Sequence, residues 1–334
     1  MKVYCPFCEN ESSLYFRVRD LNQELSEEVF NYYRCPFCRL IFMSPIPSNL
    51  SDYYISTYPA YQTPTAEELE AKAEQESYKL DIVQKVIAGG RLLEIGPGYG
   101  GFAYLAKKAG FEVETIEMDE RCCKFLTETL GIPCTHSAEV TTALTELRSY
   151  NVITMWHVIE HLPYPWLALD AIVKKLLPGG FIFIATPNPD ALQFNIFGRY
   201  WTHVDAPRHQ ELIPRELIGK RLETLGMKNF VTTTTDKASV IFNTFGWWRG
   251  SFNNLLKAAS PLHRSKNKNY LELNDKTQTM FFQYLLKILY SPFWLTKKTV
   301  IVILRFIFSL IIKPIERIEG VGGAYTAIFK KTDF

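Results

Sequence analysis

Two cysteine pairs with the same tetrapeptide lie near the start of the chain. Cys5 and Cys8 belong to one CPFC sequence, and Cys35 and Cys38 belong to a second. Two thiolates three residues apart on a tight turn can occupy neighbouring vertices of a tetrahedron, so two such turns supply four ligands for zinc. Four thiolates leave no open coordination position, and a segment this short has too little core to fold alone. We therefore expect a structural Zn²⁺ site in a module of residues 1–43.

Disulfides are the competing explanation for paired cysteines. No apolar segment follows Met1, so we expect no secretory signal. The expected location of the protein is therefore the cytoplasm. Without export, paired cysteines are better explained as metal ligands than as disulfides. The other three cysteines are expected to be small buried hydrophobes, namely Cys122, Cys123 and Cys134.

A glycine loop is the second feature that could do chemistry. The sequence RLLEIGPGYGGF places an apolar strand before Gly96, Gly98 and Gly100, and a helix pattern begins near Gly101. Glycines let the backbone turn tightly and approach a ligand without a Cβ atom in the way. Open α/β sheets bind ligands at the carboxyl ends of their strands, so a cofactor is expected at this loop.

The residues around the loop bear on which cofactor it binds. Gly96, Gly98 and Gly101 satisfy the dinucleotide fingerprint, and Glu117 follows about twenty residues later. This pattern alone would suit an NAD(P)-dependent oxidoreductase. Glu94, however, would repel a pyrophosphate, whereas its carboxylate suits the cationic amino and sulfonium groups of S-adenosylmethionine. Glu117 can accept ribose hydroxyls in either case, so the sequence favours S-adenosylmethionine.

Longer stretches of sequence resemble a known family. LLEIGPGYGGFAYLAKKAGFEVETIEMD is similar to motif I and its acidic follower in class I S-adenosylmethionine-dependent methyltransferases. MWHVIEHLPYPWLAL and KKLLPGGFIFIATPN resemble the fourth and fifth strand motifs of the branch that includes ubiquinone-type O-methyltransferases. The similarity covers roughly residues 80–235. It implies a Rossmann-like, doubly wound α/β fold whose mostly parallel seven-stranded sheet has an antiparallel last strand.

The resemblance also implies roles for individual residues. The residues expected to line the methionine part of the cofactor are Glu94, Gly96, Gly98 and Gly100. Those expected around the ribose and adenine are Glu117, Met118, Ser137, Ala138 and Glu139. His157, at the end of the fourth strand, is expected beside the cofactor as well.

Histidines after the fourth and fifth strands are the candidates for the acceptor side. His157 and His161 share a face if a helix begins here, and Glu160 and His161 could orient a nucleophile or hold a divalent ion. Related O-methyltransferases bind a metal through Glu-x-x-Glu-His. His157 replaces the first of those glutamates, which argues against a hard cation such as Mg²⁺. Alternatively, Glu160 and His161 only mark a helix start.

A second polar cluster follows the fifth strand, where the family builds part of its acceptor pocket. Its members are Trp201, His203, Asp205, Arg208 and His209. A general base assists when the acceptor is a hydroxyl, and histidine is the usual one. We expect His161 and His209 on the acceptor side, together with His157 and Glu160. A surface loop is the alternative for residues 203–209.

Alternating strand and helix patterns must position these residues. Strands are predicted at 91–95, 112–117, 133–136, 151–156, 181–186, 229–235 and 324–330, with helices at 65–88, 101–109, 120–130, 140–147, 166–177 and 214–225. Strands that alternate with helices imply βαβ units and a parallel sheet. Residues 65–239 are therefore assigned to a methyltransferase domain that 320–334 completes, after a linker at 44–64.

Residues 240–319 interrupt this rhythm and are predicted to be a helical insertion before the last strand. Their apolar runs, 281–295 and 299–312, are each shorter than the roughly twenty residues that span a bilayer. Lysines flank the second run, which suits helices lying on an anionic membrane surface in the interval 281–312. The alternative is a helical cap on the catalytic domain or at a dimer interface.

Composition limits the classes of partner. The chain has 334 residues and a net charge of +2, so no strong field attracts nucleic acid. We expect O- or C-methylation of a small-molecule or lipid-linked acceptor, in sugar, envelope or quinone metabolism, at the inner face of the membrane or in the cytoplasm. An oxidoreductase and a non-catalytic zinc-ribbon adaptor are the alternatives, and the sequence leaves homo-oligomerisation open.

Overall fold

The computed structural model describes residues 2–55, 61–245, 250–259 and 313–332. The chain divides into two compact units. The first, here called the ribbon unit, comprises Met1–Pro47, Asn188–Leu212 and Thr234–Ala324. The second, here called the sheet unit, comprises Ser48–Pro187, Ile213–Thr233 and Tyr325–Phe334. The apolar runs predicted at 281–312 lie outside the described residues.

The described elements are numbered in chain order. The strands are β1 (Val3–Tyr4), β2 (Glu11–Val18), β3 (Phe30–Arg34), β4 (Ile41–Met43), β5 (Arg91–Ile95), β6 (Glu112–Glu117), β7 (Cys134–His136), β8 (Tyr150–Trp156), β9 (Leu176–Pro187), β10 (Glu211–Leu212), β11 (Met227–Thr233) and β12 (Ala324–Lys331). The α-helices are α1 (Ala66–Glu74), α2 (Ser77–Gln84), α3 (Gly101–Lys108), α4 (Glu120–Lys124), α5 (Val140–Glu146), α6 (Pro165–Lys175), α7 (Leu192–Phe197), α8 (Arg215–Thr224), α9 (Lys237–Phe245) and α10 (Phe252–Ala259). Short 3-10 helices include Leu50–Tyr53 and Ile159–His161.

The sheet unit contains the seven-stranded sheet. Its order is β11-β12-β9-β8-β5-β6-β7. β5 pairs in parallel with both β6 and β8, and β12 pairs antiparallel with β11. The chain order reverses on either side of β5, so the carboxyl end of β5 is the switch point where open α/β sheets bind ligands. The predicted fold class is confirmed, and β5 and β6 have the predicted bounds.

The apolar sequence of β5 explains its central place. Leu92, Leu93 and Ile95 are fully buried, and so are Val152, Ile153 and Met155 on β8. A strand covered by helices on both faces reads as a continuous apolar run rather than an alternating one. Thr154 and Glu94 are polar residues of these two strands that are nevertheless buried.

The segment before β5 differs from its prediction. The single predicted helix is two helices, because the chain breaks at Gln75 and Glu76. The predicted capping box is confirmed: the Glu68 N–H donates to Thr65 Oγ1, and the Thr65 N–H donates to the Glu68 carboxylate. Residues 48–55 and 61–64 of the predicted linker belong to the sheet unit, where Tyr53 is buried.

The ribbon unit combines distant parts of the chain. Its five-stranded sheet has the order β1-β2-β3-β4-β10, in which Glu211 and Leu212 of β10 pair antiparallel with β4. The segment 188–212 therefore adds a strand to the N-terminal sheet, which the sequence did not indicate. The described parts of the predicted insertion, including α9 and α10, also belong to this unit. Among the described helices, none is both long and apolar enough to cross a bilayer.

Candidate functional site

The four N-terminal cysteines come together in the ribbon unit. Each CPFC turn is closed in the same way: the first cysteine's N–H donates to Asn10 O in one turn and to Leu40 O in the other. The Sγ atoms of Cys5 and Cys38 lie 3.5 Å apart, and those of Cys8 and Cys35 lie 3.4 Å apart. Zinc–sulfur bonds of about 2.3 Å put tetrahedral sulfurs about 3.8 Å apart, so this arrangement fits a zinc ion.

Burial and neighbouring groups shift the pKa values of these thiols in different directions. Burial raises the pKa of Cys5 well above its usual range and that of Cys38 to about 12. Burial acts in the same direction on Cys8, but the Asn10 side chain and backbone outweigh it and lower the pKa of Cys8 to about 7. Four crowded thiols can all ionise only when a cation compensates their charge.

The glycine loop leads from β5 into α3 in the sheet unit. Gly96 has a φ of +68°, and a Cβ atom there would lie 2.6 Å from Val158 Cγ2. Gly100 has a φ of +84°, and a Cβ atom there would lie 2.4 Å from Leu126 Cδ2. Both the backbone conformation and the lack of space therefore require glycine at these two positions. Gly98 also has a positive φ, of 58°.

Glu94 is the buried acid at the end of β5, directly before the loop. Its side chain is only 2% exposed, and Oε2 accepts no hydrogen bond from any described residue. Burial raises the pKa of Glu94 to about 8, with Lys79 opposing the shift and Glu76 and Glu117 adding to it. A buried carboxylate without a full set of partners is costly unless a ligand completes it. Glu94 is therefore the best-placed group for a cationic ligand at this loop.

Glu117 ends β6 and holds the loop from the neighbouring strand. Its Oε2 accepts the Gly98 N–H at 2.8 Å, and its Oε1 accepts the N–H groups of Met118 and Asp119 at 2.7 and 2.9 Å. Burial raises the pKa of Glu117, and these backbone donors oppose that shift. A carboxylate offers about four lone-pair positions, so one remains on Oε2 for a ligand hydroxyl.

Lys79 on α2 was missed by the sequence analysis. Its Nζ lies 2.6 Å from Glu76 Oε2 and 5.9 Å from the centre of the Trp156 ring. Burial would lower the pKa of Lys79, but the charges of Glu76 and Glu94 raise it well above its usual range. The Tyr99 hydroxyl also donates to Glu76 Oε1, at 2.7 Å. The helix pattern before β5 contained Lys79, but only the fold shows that it faces the end of that strand.

The residues predicted around the adenine lie after β6 and β7. Met118 is 36% exposed, and Ala138 is exposed just before α5. His136 Nε2 lies 3.0 Å from Met118 O, which fixes the backbone at the predicted adenine contact. Ser137 N–H donates to Glu117 O at 2.9 Å and extends the β6–β7 pairing.

No helix begins at His157, so the condition under which His157 and His161 would share a helical face is not met. His157 has a φ of +58°, in the left-handed region, and donates its N–H to Ala185 O at 2.8 Å. The 3-10 helix begins at Ile159 and the α-helix only at Pro165. The backbone turns at His157, directly after the last residue of β8, before any helix begins. His157 and His161 are therefore not one helical turn apart.

Ligand atoms of Glu160 and His161 lie within 4.8 Å of each other, and each residue has a further neighbour in the sheet unit. Glu160 is fully buried and accepts the Thr186 hydroxyl at 2.9 Å, while its other oxygen lies 3.4 Å from His157 Nδ1. His161 Nδ1 lies 3.0 Å from the Tyr54 hydroxyl. Glu160 is thereby tied to the end of β9, and His161 to the segment before α1.

The second histidine cluster belongs to the ribbon unit, around a fully buried Arg208. The Arg208 guanidinium donates to both carboxylate oxygens of Asp20, with a closest distance of 2.6 Å. It also donates to both oxygens of Asp205, at 2.7 and 3.0 Å. Burial would raise the pKa of Asp205, but Arg208 holds it well below its usual range. His209 Nδ1 lies 2.8 Å from His203 O. The predicted acceptor-side role of His209 stays a prediction.

Comparisons with known proteins agree with this fold. Residues 69–230 match a family model described as a methyltransferase domain. Ubiquinone biosynthesis O-methyltransferase of Nitrosococcus oceani is 29% identical over 143 residues, which cover 39% of this chain and 61% of that protein. The protein of the same name from Burkholderia vietnamiensis is 31% identical over 114 residues, which cover 30% and 46%. The chain thus spans less than two thirds of either relative.

A solved structure completes the comparison. A SAM-dependent methyltransferase from Archaeoglobus fulgidus aligns over 79% of this chain and 97% of its own, with 18% identity and a TM-score of 0.46. The family match thus assigns residues 69–230 to a methyltransferase domain, and the order of the seven-stranded sheet is the class I, Rossmann-like one expected from the sequence.

Replacement of the buried arginine should destabilise the ribbon unit. Arg208→Met leaves the carboxylates of Asp20 and Asp205 buried without their cation, which should lower the free energy of unfolding by about 3–5 kcal/mol. Urea denaturation would measure this change. Arg215→Met, at a partly exposed surface ion pair, is the matched control and should change it by less than about 1 kcal/mol. Equal effects of the two substitutions would contradict the structural role of Arg208.

Proposed function

We propose that this protein transfers a methyl group from S-adenosylmethionine to a small-molecule or lipid-linked acceptor. The observation that carries the proposal is the buried Glu94 carboxylate at the glycine loop, whose Oε2 lacks a partner among the described residues. When bound there, S-adenosylmethionine supplies an electrophilic methyl group on a cationic sulfur. Its ammonium group is the partner that Glu94 lacks.

The surrounding residues match the other parts of the same donor. Lys79 lies close enough to influence the pKa of Glu94, and its ammonium suits the donor's carboxylate. The remaining lone pair of Glu117 suits a ribose hydroxyl. The positive φ angles of Gly96, Gly98 and Gly100 let the loop turn tightly at the end of β5, where its backbone would meet the donor. These residues bind and orient the donor, which is most of what methyl transfer requires of a protein.

On the acceptor side, we assign a general-base role to His161 and a positioning role to Glu160. A base is useful when the acceptor is a hydroxyl, since its proton must leave as the methyl group arrives. The two relatives named above act in ubiquinone biosynthesis, according to their names, which supports a quinone-type O-methylation. C-methylation of a sugar remains the second candidate acceptor reaction.

Calorimetric titration separates the main alternatives. A methyltransferase should bind S-adenosylhomocysteine and not NADH, because ionisation of Glu94 favours an ammonium group at the loop over a pyrophosphate. An NAD(P)-dependent oxidoreductase should show the reverse preference. A non-catalytic adaptor with a degenerate fold should bind neither compound.

Proton release should accompany cofactor binding. The pKa of Glu94 is raised to about 8, so this carboxyl group is mostly protonated at pH 7. A bound cation favours the ionised form and lowers that pKa, so binding of S-adenosylhomocysteine at pH 7 should release about one proton. Calorimetry in two buffers of different ionisation enthalpy measures the number.

Two matched variants show which carboxyl group releases the proton. Glu94→Gln should abolish most of the release and weaken binding, whereas Glu117→Gln should weaken binding but keep the release. Above about pH 9, wild-type binding should no longer release this proton, because Glu94 is already ionised. Wild-type binding without proton release at pH 7 would remove Glu94 from the ammonium site.

We also propose that the four cysteines of the ribbon unit hold a structural zinc ion. The tetrahedral spacing of their Sγ atoms supports this proposal. The ion would join the two CPFC turns, which lie at the ends of β1 and β3. It would have no open position for catalysis.

Loss of one ligand should remove the metal. Purified wild-type protein should contain about one zinc ion per chain by elemental analysis, and Cys35→Ser should lose most of it and unfold at lower temperature. Cys134→Ser, a half-buried cysteine on β7, is the matched control and should retain the zinc. Equal zinc content in the two variants would exclude the proposed ligand set.

The interval 281–312 is proposed to lie on a membrane surface, on the strength of its sequence alone. Full-length protein should float with vesicles that contain phosphatidylglycerol and should remain unbound with pure phosphatidylcholine, since lysines flank the apolar run. Deletion of 281–312 should abolish flotation while S-adenosylhomocysteine still binds. Unchanged flotation after the deletion would instead favour the helical cap.

A further inference from the structure

The Tyr99 side chain reaches from the glycine loop to the helices before β5. It lies between Gly98 and Gly100, and its hydroxyl donates to Glu76 Oε1 at 2.7 Å. The same hydroxyl lies 3.3 Å from Lys72 O, a backbone carbonyl of α1. Both acceptors are in the segment where α1 ends and α2 begins, and all of these residues belong to the sheet unit. The contact therefore ties the loop after β5 to the break between the two helices.

Gly101 is the loop glycine that leaves room for this contact. It begins α3, and a Cβ atom there would lie 2.7 Å from Tyr99 Oη and 2.9 Å from Glu76 Oε1. Gly96 and Gly100, by contrast, are required by a positive φ and by apolar side chains close to them. The last glycine of the sequence GPGYGG thus gives space to a hydroxyl–carboxylate pair of the protein itself.

The other oxygen of Glu76 holds Lys79. Lys79 Nζ lies 2.6 Å from Glu76 Oε2, and the two side chains are mostly buried, with exposed fractions of 15% and 19%. Residues three apart on a helix are neighbours on its surface, which explains why these two meet. The Glu76 carboxylate therefore receives the Tyr99 hydroxyl on one oxygen and the Lys79 ammonium on the other. Bonds to both oxygens fix the orientation of a carboxylate more firmly than a bond to one.

The ammonium of Lys79 lies at the strand ends beside the loop. Nζ is 5.9 Å from the ring centre of Trp156, the last residue of β8, and β8 pairs with β5. Lys79 also opposes the shift that burial imposes on the pKa of Glu94, so its charge acts at the end of β5. An ammonium group has three hydrogens to donate, and the contact with Glu76 uses one. Lys79 can therefore bind a ligand carboxylate while Glu76 still holds it.

We propose that Tyr99 is a positioning residue, which orients Glu76 and through it holds Lys79 where its ammonium binds the carboxylate of the methyl donor. This inference rests on the proposed function, in which Lys79 is the partner of that carboxylate. Tyr99 acts through Glu76 and needs no contact with the donor. Without the hydroxyl, the Glu76 carboxylate can rotate, and Lys79 is held less firmly. The loss should therefore affect only ligands that carry the amino-acid carboxylate.

Two ligands that differ in the amino-acid part test this assignment in the full chain. S-adenosylhomocysteine has the carboxylate, whereas methylthioadenosine keeps the adenosine and the sulfur but ends in a methyl group. Tyr99→Phe should weaken binding of S-adenosylhomocysteine about 3- to 10-fold in calorimetric titration, the range for loss of one hydrogen bond. Its Kd for methylthioadenosine should equal the wild-type value. Equal losses for both ligands, or no loss for either, would overturn the proposal.

Gly101→Ala tests the same contact while the hydroxyl is retained. The added methyl group would occupy the space beside Tyr99 Oη and Glu76 Oε1 and should push them apart. The affinity for S-adenosylhomocysteine should fall, and that for methylthioadenosine should not. Tyr104→Phe, at a half-buried tyrosine of α3 whose ring centre lies 5.3 Å from Lys108 Nζ, is the matched control and should keep both wild-type Kd values. Wild-type affinity for S-adenosylhomocysteine in Gly101→Ala would contradict the proposal.

A double substitution shows whether Tyr99 acts through Lys79. Lys79→Met removes the ammonium group that the proposal requires. The loss of S-adenosylhomocysteine affinity in Lys79→Met/Tyr99→Phe should therefore equal that in Lys79→Met alone. Additive losses would show that Tyr99 acts by another route and would overturn the proposal.

Binding by the wild type separates the failure of this inference from that of the proposed function. If the wild type binds neither S-adenosylhomocysteine nor methylthioadenosine, the proposed function fails and this inference fails with it. If the wild type binds S-adenosylhomocysteine and Tyr99→Phe binds it equally well, only the role of Tyr99 fails. Thermal unfolding of each variant before titration shows that the protein is folded.

Discussion

Burial of one carboxylate at the end of a parallel strand is the constraint on which the sheet unit depends. Strand β5 is central because its side chains are apolar, and the same burial places Glu94 in a site where ionisation is costly. Lys79 reduces that cost, whereas Glu76 and Glu117 add to it. The carboxylate is therefore poised for a cation, and the glycines that follow it let the backbone turn tightly at the end of the strand.

The positions around Glu94 come from different parts of the chain. The loop that begins at Gly96 is held from β6 by Glu117, and Lys79 reaches the same region from α2. The Tyr54 segment precedes both helices before β5. A parallel sheet permits this convergence because its strand ends lie along one edge, so consecutive βα connections meet there.

The ribbon unit, unlike a small domain formed by one continuous segment, is built from three separate segments of the chain. It combines the N-terminal strands β1 to β4 with residues 188–212 and with the described parts of 234–324 from later in the chain. Arg208 joins the segment 188–212, which also contains Asp205, to the N-terminal segment through a hydrogen-bonded ion pair with the buried Asp20. Such a pair specifies one arrangement, since each charge is stable only beside its partners.

The sequence by itself determined those structural features that depend on residues close together along the chain. The bounds of β5 and β6, the capping box at Thr65 and the glycine loop follow from local periodicity and backbone preference. Only the tertiary structure decided the left-handed turn at His157, the break between α1 and α2, the pairing of β10 with β4, and the places of Lys79, Tyr54 and Arg208. The physical reason is that these features depend on contacts between residues far apart in sequence. A local sequence pattern does not indicate which distant residues will be in contact.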